Sequence, residues 1–310
     1  MNRFLLHVVM LGIAGFLTLC PFVGTGSAGA SELGESVKFI TIGRAGIWAV
    51  ADSTRPMNTL IFPDADPSAL RRYAPSGEVP SAIMVFVVHT GDEWILIDAG
   101  LGGASEAHAT GMMAGLKAAG ILPERITKVL LTHMHGDHIG GLIQAGKRVF
   151  PNATVLVSRP EFEFWKNPAS VTQFPKSAAN FELAREVLNS YGDAVVVFDF
   201  STTVAPGIRA LDASGHTPGH TAFLLESDGL NLLFVGDIIH AAALQFPHPE
   251  INPVYDMDPA AAAKTRTKLL ERAVTEGLPI AGAHLPFPAI GGVKPVEGGG
   301  FRLVNRLNAR

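Results

Sequence analysis

The run His133-Met134-His135-Gly136-Asp137-His138 constrains this chain more than any other feature. It places four side chains with metal-binding atoms inside six residues, directly after residues 128–131, which read as a buried strand. A strand end passing through Thr132 into a tight turn, with Gly140 and Gly141 beyond, leaves side chains little freedom, and a metal site needs that rigidity. Imidazole and carboxylate suit zinc and similar divalent ions, yet four such groups cannot all reach one tetrahedral ion. The crowding points to two metals rather than to a solvated histidine-rich turn.

Three more candidate ligands stand at strand ends or in tight turns: His216 in Ser-Gly-His-Thr-Pro-Gly-His, Asp237 in Phe-Val-Gly-Asp, and His284 in Ala-Gly-Ala-His. Together with Leu96-Ile97-Asp98-Ala99-Gly100, this ordered set resembles the metallo-β-lactamase superfamily of binuclear hydrolases, from about residue 37 to the C-terminus. The resemblance implies that His133, His135 and His216 hold one divalent ion, and Asp137, His138 and His284 a second. Asp237 would bridge the two, and Asp98 would orient a ligand without being one. Zinc is the expected ion. Two ions sharing a water would turn it into a bridging hydroxide near neutral pH and polarise a carbonyl or phosphoryl oxygen. Superfamily members with a redox di-iron site place Glu where His135 stands, so hydrolysis is the implied chemistry.

The rest of the chain reads as alternating strands and helices. Residues 37–50, 83–89 and 94–97 are β-rich, the last two joined through a turn at Gly91 and Asp92. Residues 52–80, rich in Pro, Ser and Asp, read as a loop near the site mouth. Helices are expected over residues 104–119, 181–191 and 258–276, the last opened by Asp258-Pro259. Strands are expected at 128–131, 153–157, 194–198, 208–212, 221–226 and 231–235. Two sheets enclosed by helices follow, a four-layer αβ/βα sandwich forming one catalytic domain over residues 31–310.

Substrate preference rests on weaker signals. The segments from Ala281 to Gly292 and from Gly236 to Phe246, with Phe162-Glu-Phe-Trp165, resemble the exported subgroup containing methyl parathion hydrolase and related lactone or aryl-ester hydrolases. Lactonases of the superfamily carry Tyr three residues after the bridging Asp, and the organophosphate hydrolase an aliphatic residue. This chain has His240, which could hydrogen-bond an ester oxygen or protonate a leaving alkoxide. Asp237 and His240 are thus the residues expected to act in catalysis. Trp165, Phe174, Phe246 and Tyr255 are the expected wall of an apolar substrate cavity. His220 reads as a structural hydrogen-bonding residue, and His7, His89, His108 and His248 carry no supporting spacing.

The expected reaction is hydrolysis of a lactone or a carboxylic or aryl ester. The alternatives are organophosphate triester hydrolysis, β-lactamase activity, or metal binding without turnover. A net charge of -4 argues against nucleic acid as a partner, and a small hydrophobic substrate fits better. A homodimer is compatible with this reading. Arg3, the apolar stretch 4–23 and Ala28-Gly29-Ala30 read as a signal peptide over residues 1–30, cleaved before Ser31 and sending the chain to the periplasm or outside the cell. Membrane contact would end with that peptide. The single cysteine, Cys20, would leave with it, which excludes thiolate ligands and disulfides from the mature chain.

Overall fold

The computed structural model describes residues 36–102 and 111–304. The expected signal peptide and the first turns of the 104–119 helix lie outside them. No helix among the described residues is long and apolar enough to cross a membrane.

The first half of the chain builds a seven-stranded sheet in sequential order: β1 (Val37–Ile42), β2 (Ala45–Ser53), β3 (Ile83–Thr90), β4 (Glu93–Ile97), β5 (Lys128–Leu130), β6 (Thr154–Ser158) and β7 (Val195–Phe198). β1 to β4 are antiparallel neighbours, and β4 to β7 run parallel. The second half repeats the plan with β8 (Thr203–Ala205), β9 (Ile208–Asp212), β10 (Thr221–Ser227), β11 (Leu230–Gly236), β12 (Ile280–Gly282), β13 (Ile290–Pro295) and β14 (Phe301–Val304). In this sheet only β11 and β12 pair in parallel.

Strands buried on both faces need apolar residues without alternation, and β3 shows why. Met84, Phe86 and Val88 face the second sheet, where they join Phe223, Leu225 and Phe234. Val85 and Val87 face the other way, towards Met112, Leu116 and Phe181 of helices Gly111–Ala118 and Ala178–Tyr191. On the far side, Leu269, Leu270 and Ala273 of helix Pro259–Thr275 join the second sheet's core. The result is the expected four-layer αβ/βα sandwich.

Two local expectations change. Residues 37–50 are not one run but a hairpin, β1 and β2 turning at Gly43 and Arg44. Residues 52–80 are more ordered than a loop. They contain helix Pro67–Tyr73, capped by the Asp66 carboxylate accepting from Ser68 N–H, and a ribbon pairing Met57–Asn58 with Glu78–Val79.

Strand direction positions the site. The parallel strands β4, β5 and β6 end at one edge, and β9, β11 and β12 share a direction in the second sheet. Side chains in the turns after their C-terminal ends can therefore converge, as in open α/β folds generally.

Candidate metal centre

The turns after β4 and β5 are built around Asp98. Its backbone sits in the left-handed region, φ 56°, a strained position for a non-glycine residue. Three hydrogen bonds hold it there: its carboxylate accepts from Thr132 N–H, Thr132 O–H and His138 Nδ1–H, each at 2.8 Å. Thr132 Oγ1, its own proton committed to Asp98, lies 3.1 Å from His133 Nδ1 and accepts from it. The same pattern recurs across the site. His216 Nδ1 donates to Asp256 Oδ1 at 2.8 Å, and His284 Nδ1 to the Ala82 carbonyl at 2.9 Å. With Nδ1 committed behind it, each of these four imidazoles turns Nε2 forward, the nitrogen a metal ligand would use.

Those nitrogens converge on Asp237. His284 Nε2 lies 3.1 Å from Oδ2, His240 Nε2 3.2 Å, His216 Nε2 3.4 Å and His133 Nε2 3.7 Å. The other oxygen, Oδ1, is 3.2 Å from His138 Nε2. His135 Nδ1 lies 3.0 Å from both His133 Nε2 and His216 Nε2. Half-buried Asp137 places Oδ2 3.4 Å from His284 Nε2 and 3.8 Å from His138 Nε2. All seven residues expected as ligands therefore meet in one place. Two compact groups stand out, His133/His135/His216 and Asp137/His138/His284, with Asp237 between them.

The donor set fits divalent ions. His138 Nε2 and Asp237 Oδ1 are buried without a hydrogen-bond partner among the described residues, and buried polar atoms are seldom left so. Burial and the neighbouring imidazoles push His133 and His135 well down, so both are neutral donors. Burial works against charge on His138 and His284 too, but facing carboxylates prevail: Asp237, Asp98 and Asp137 raise His138, and Asp237 and Asp137 raise His284 to about 10. Asp237 lies well below the usual carboxylate range, against its burial, because of His138 and His284. Charge of both signs thus converges in a buried cluster, where a cation can replace the protons.

His220 does not face this centre as a ligand. Its Nδ1 donates to the Ala213 carbonyl at 3.1 Å and its Nε2 accepts from the Asp237 backbone N–H at 2.9 Å, which aims the Asp237 turn. Burial pushes it down to about 3, consistent with a neutral acceptor. Gly236 (φ 53°) allows this approach, since a Cβ there would stand 2.6 Å from His220 Nε2.

A cavity of about 1320 Å3 opens over the centre, lined by His135, Asp137, His216, Asp237, His240 and His284. Phe174 and Tyr255 line it, with Met57, Ile61, Ile83 and Val254; Arg55, Lys176 and Asn180 are polar members. Trp165 and Phe246 do not, contrary to expectation. Trp165 is 3% exposed, packs on Phe181, and donates its Nε1–H to Glu161 at 2.6 Å, backing the His135 ring instead of meeting substrate. Phe246 is 1% exposed and belongs to the core around the second sheet. Phe246→Ala is expected to cost about 3–5 kcal/mol of stability by leaving a core void. Tyr255→Ala, at a half-exposed side chain, should leave the melting temperature nearly unchanged and raise KM. Thermal melts and steady-state kinetics on both variants check this.

Sequence reasoning missed four buried polar residues. Glu161 accepts from Met134 N–H (2.9 Å) and Trp165 Nε1–H (2.6 Å) through Oε1, and from Thr217 O–H (2.7 Å) and Gly219 N–H (3.0 Å) through Oε2. It ties the 132–138 turn to the 216–220 turn. The Ser158-to-Glu161 spacing is that of a capping box; Ser158 does cap the helix, but the Glu161 carboxylate turns inward. Asp256 holds His216. Arg266 sits on the buried stripe Ala262, Leu269, Leu270, Ala273 of its helix, and a cation on an apolar stripe was the available signal. Gln245 accepts from the backbone N–H groups of His240 (2.7 Å) and Ala241 (3.0 Å).

The chain thus combines a four-layer αβ/βα sandwich with a His/Asp cluster at its strand ends. The sequence profile of the Metallo-beta-lactamase superfamily matches residues 79–284, and the chain belongs to that superfamily. The N-acyl homoserine lactonase of Bacillus cereus is 29% identical over 123 residues, 39% of this chain and 42% of that protein. An atrochrysone carboxyl ACP thioesterase of Passalora fulva is 32% identical over 155 residues, 50% of this chain and 37% of that protein. The chain thus spans about two-fifths of the length of the curated relatives it matches. Solved structures align over much more. AidC, a dizinc quorum-quenching lactonase in complex with a product, superposes with TM-score 0.79 at 27% identity, over 87% of this chain and 97% of that one. The hydrolase AbOPH of the beta lactamase superfamily superposes with TM-score 0.81 at 31% identity, over the same shares.

Proposed function

We propose that this protein is a binuclear metal-dependent hydrolase of lactones or of carboxylic and aryl esters. The observation that carries the reading is the convergence of five imidazole Nε2 atoms on the Asp237 carboxylate, four of them aimed by a committed Nδ1–H. His133, His135 and His216 would hold one divalent ion, Asp137, His138 and His284 the other, and Asp237 both; zinc is the ion of choice, as in the dizinc neighbour. When bound, such a pair supplies an acidified water and an electrophile for the substrate's carbonyl oxygen.

The protein's own groups do the rest. Asp98, Asp256 and the Ala82 carbonyl hold the imidazoles, so little reorganisation accompanies reaction. Met57, Ile61, Phe174, Val254 and Tyr255 give the cavity an apolar wall for an acyl or aryl group. His240 lines the same cavity and its ring stacks on His284 at 5.0 Å. Its Nδ1 is buried with no partner among the described residues, and burial pushes it down to about 4. A neutral imidazole lining the cavity can give a hydrogen bond to a substrate oxygen through Nε2, the nitrogen on the Asp237 side. Export to the periplasm or the exterior remains part of the proposal, resting on the sequence of residues 1–30.

Elemental analysis of purified protein is expected to find about two divalent ions per chain. Activity should disappear on chelation and return with zinc. The substrate class is read from a panel of N-acyl homoserine lactones, dihydrocoumarin, aryl esters, phosphotriesters and nitrocefin. Preference for the lactones and esters supports the proposal; turnover of nitrocefin alone, or fully active protein free of metal, overturns it.

A further inference from the structure

We propose that Arg266 is a positioning residue that makes the cavity wall 249–256 and the His216 imidazole a single unit. The inference rests on the reading above in one respect, that His216 holds a divalent ion.

Arg266 lies within helix Pro259–Thr275 and has no exposed surface. Its guanidinium is spent almost wholly on one irregular segment. Nε donates to the Ile238 carbonyl. Nη1 donates to the carbonyls of Pro249 (2.7 Å) and Ile251 (3.1 Å) and to Asn252 Oδ1 (3.1 Å). Nη2 donates to Asp256 Oδ2 at 3.1 Å. A buried charge is tolerable only when paired and hydrogen-bonded, and every nitrogen of this one has an acceptor. The acceptors bracket Val254 and Tyr255, which line the cavity. Arg266 therefore grips that strap at both ends, near Asn252 and at Asp256.

One of those ends is also the acceptor for His216. Asp256 uses Oδ2 for Arg266 and Oδ1 for His216 Nδ1 at 2.8 Å. Backbone bonds from Met257 N–H to the His216 carbonyl (3.0 Å) and from Asp258 N–H to the Gly215 carbonyl (2.9 Å) bind the strap to the same turn. A displacement of the wall at Tyr255 thus moves the group that orients His216. Lysine cannot replace this arrangement, because its compact ammonium lacks the planar fork that reaches acceptors on two sides.

The test uses the full-length protein, two variants and two readouts independent of turnover: zinc affinity by chelator competition, and amide exchange of peptides covering 249–256. Arg266→Lys is expected to speed exchange across 249–256 and to weaken zinc binding by about 10- to 100-fold, the range for lost ligand support. Asp256→Asn keeps the carbonyl contacts of Arg266, so it should weaken zinc binding similarly while leaving exchange at 249–252 unchanged. On any substrate the panel identifies, Arg266→Lys should raise KM and lower kcat together. The proposal falls if Arg266→Lys loosens the strap but leaves zinc affinity within about twofold of the parent. It falls equally if Asp256→Asn binds zinc as the parent does, and that variant decides alone should Arg266→Lys fail to fold. A parent protein that binds no zinc sinks the metal-hydrolase reading instead.

Discussion

Asp237→Ala is expected to lower kcat/KM by at least about 10³-fold, equivalent to about 4 kcal/mol of transition-state stabilisation, and to deplete the protein of metal. Five imidazole nitrogens lie within 3.1 to 3.7 Å of its two oxygens. Removing the carboxylate leaves His138 and His284 without their main anionic partner and leaves Asp137 as the one carboxylate among the expected ligands to offset two divalent ions. The fold around the turn should survive, because His220 is bonded to the backbone N–H of residue 237 and not to the side chain. Circular dichroism close to that of the parent, with metal content below one ion per chain and lost turnover, is the expected pattern. An alanine variant that retains both ions and full activity would show that the carboxylate does not join them.

Glu161→Leu is expected to cost about 4 kcal/mol of folding stability, at the high end for a single substitution. Leucine fills much the same space but leaves the Met134 and Gly219 N–H groups, the Thr217 hydroxyl and the Trp165 indole N–H buried without an acceptor. Each unsatisfied donor costs about 1–3 kcal/mol, offset in part by removing a carboxylate that burial already penalises. The shortfall should appear as a lower urea midpoint at unchanged slope. Because Glu161 joins the turn of His133 and His135 to that of His216, zinc affinity should fall in the same variant. A midpoint equal to the parent's would mean that the two turns are held by packing alone.

The pattern of these residues explains how far the sequence could be read. His133, His135, Asp137 and His138 were legible because ligation depends on residue type, and their spacing places them in one turn whatever the rest of the chain does. The strands were legible because both faces of each sheet are buried, so β3 and β11 are apolar almost throughout. Aromatic residues were harder. Phe174 and Tyr255 line the cavity, whereas Trp165 and Phe246 are enclosed, and nothing local distinguishes the pairs.

By itself the sequence determined the two-sheet sandwich and the set of candidate ligands, because hydrophobic periodicity and donor-atom chemistry are properties of residues and their near neighbours. The tertiary structure alone decided what aims those ligands. Asp256 lies 40 residues from His216, and Glu161 lies 27 from Met134 and 58 from Gly219. A buried carboxylate or guanidinium acquires its role from the donors and acceptors that folding brings to it, and along the chain those partners carry no mark of one another.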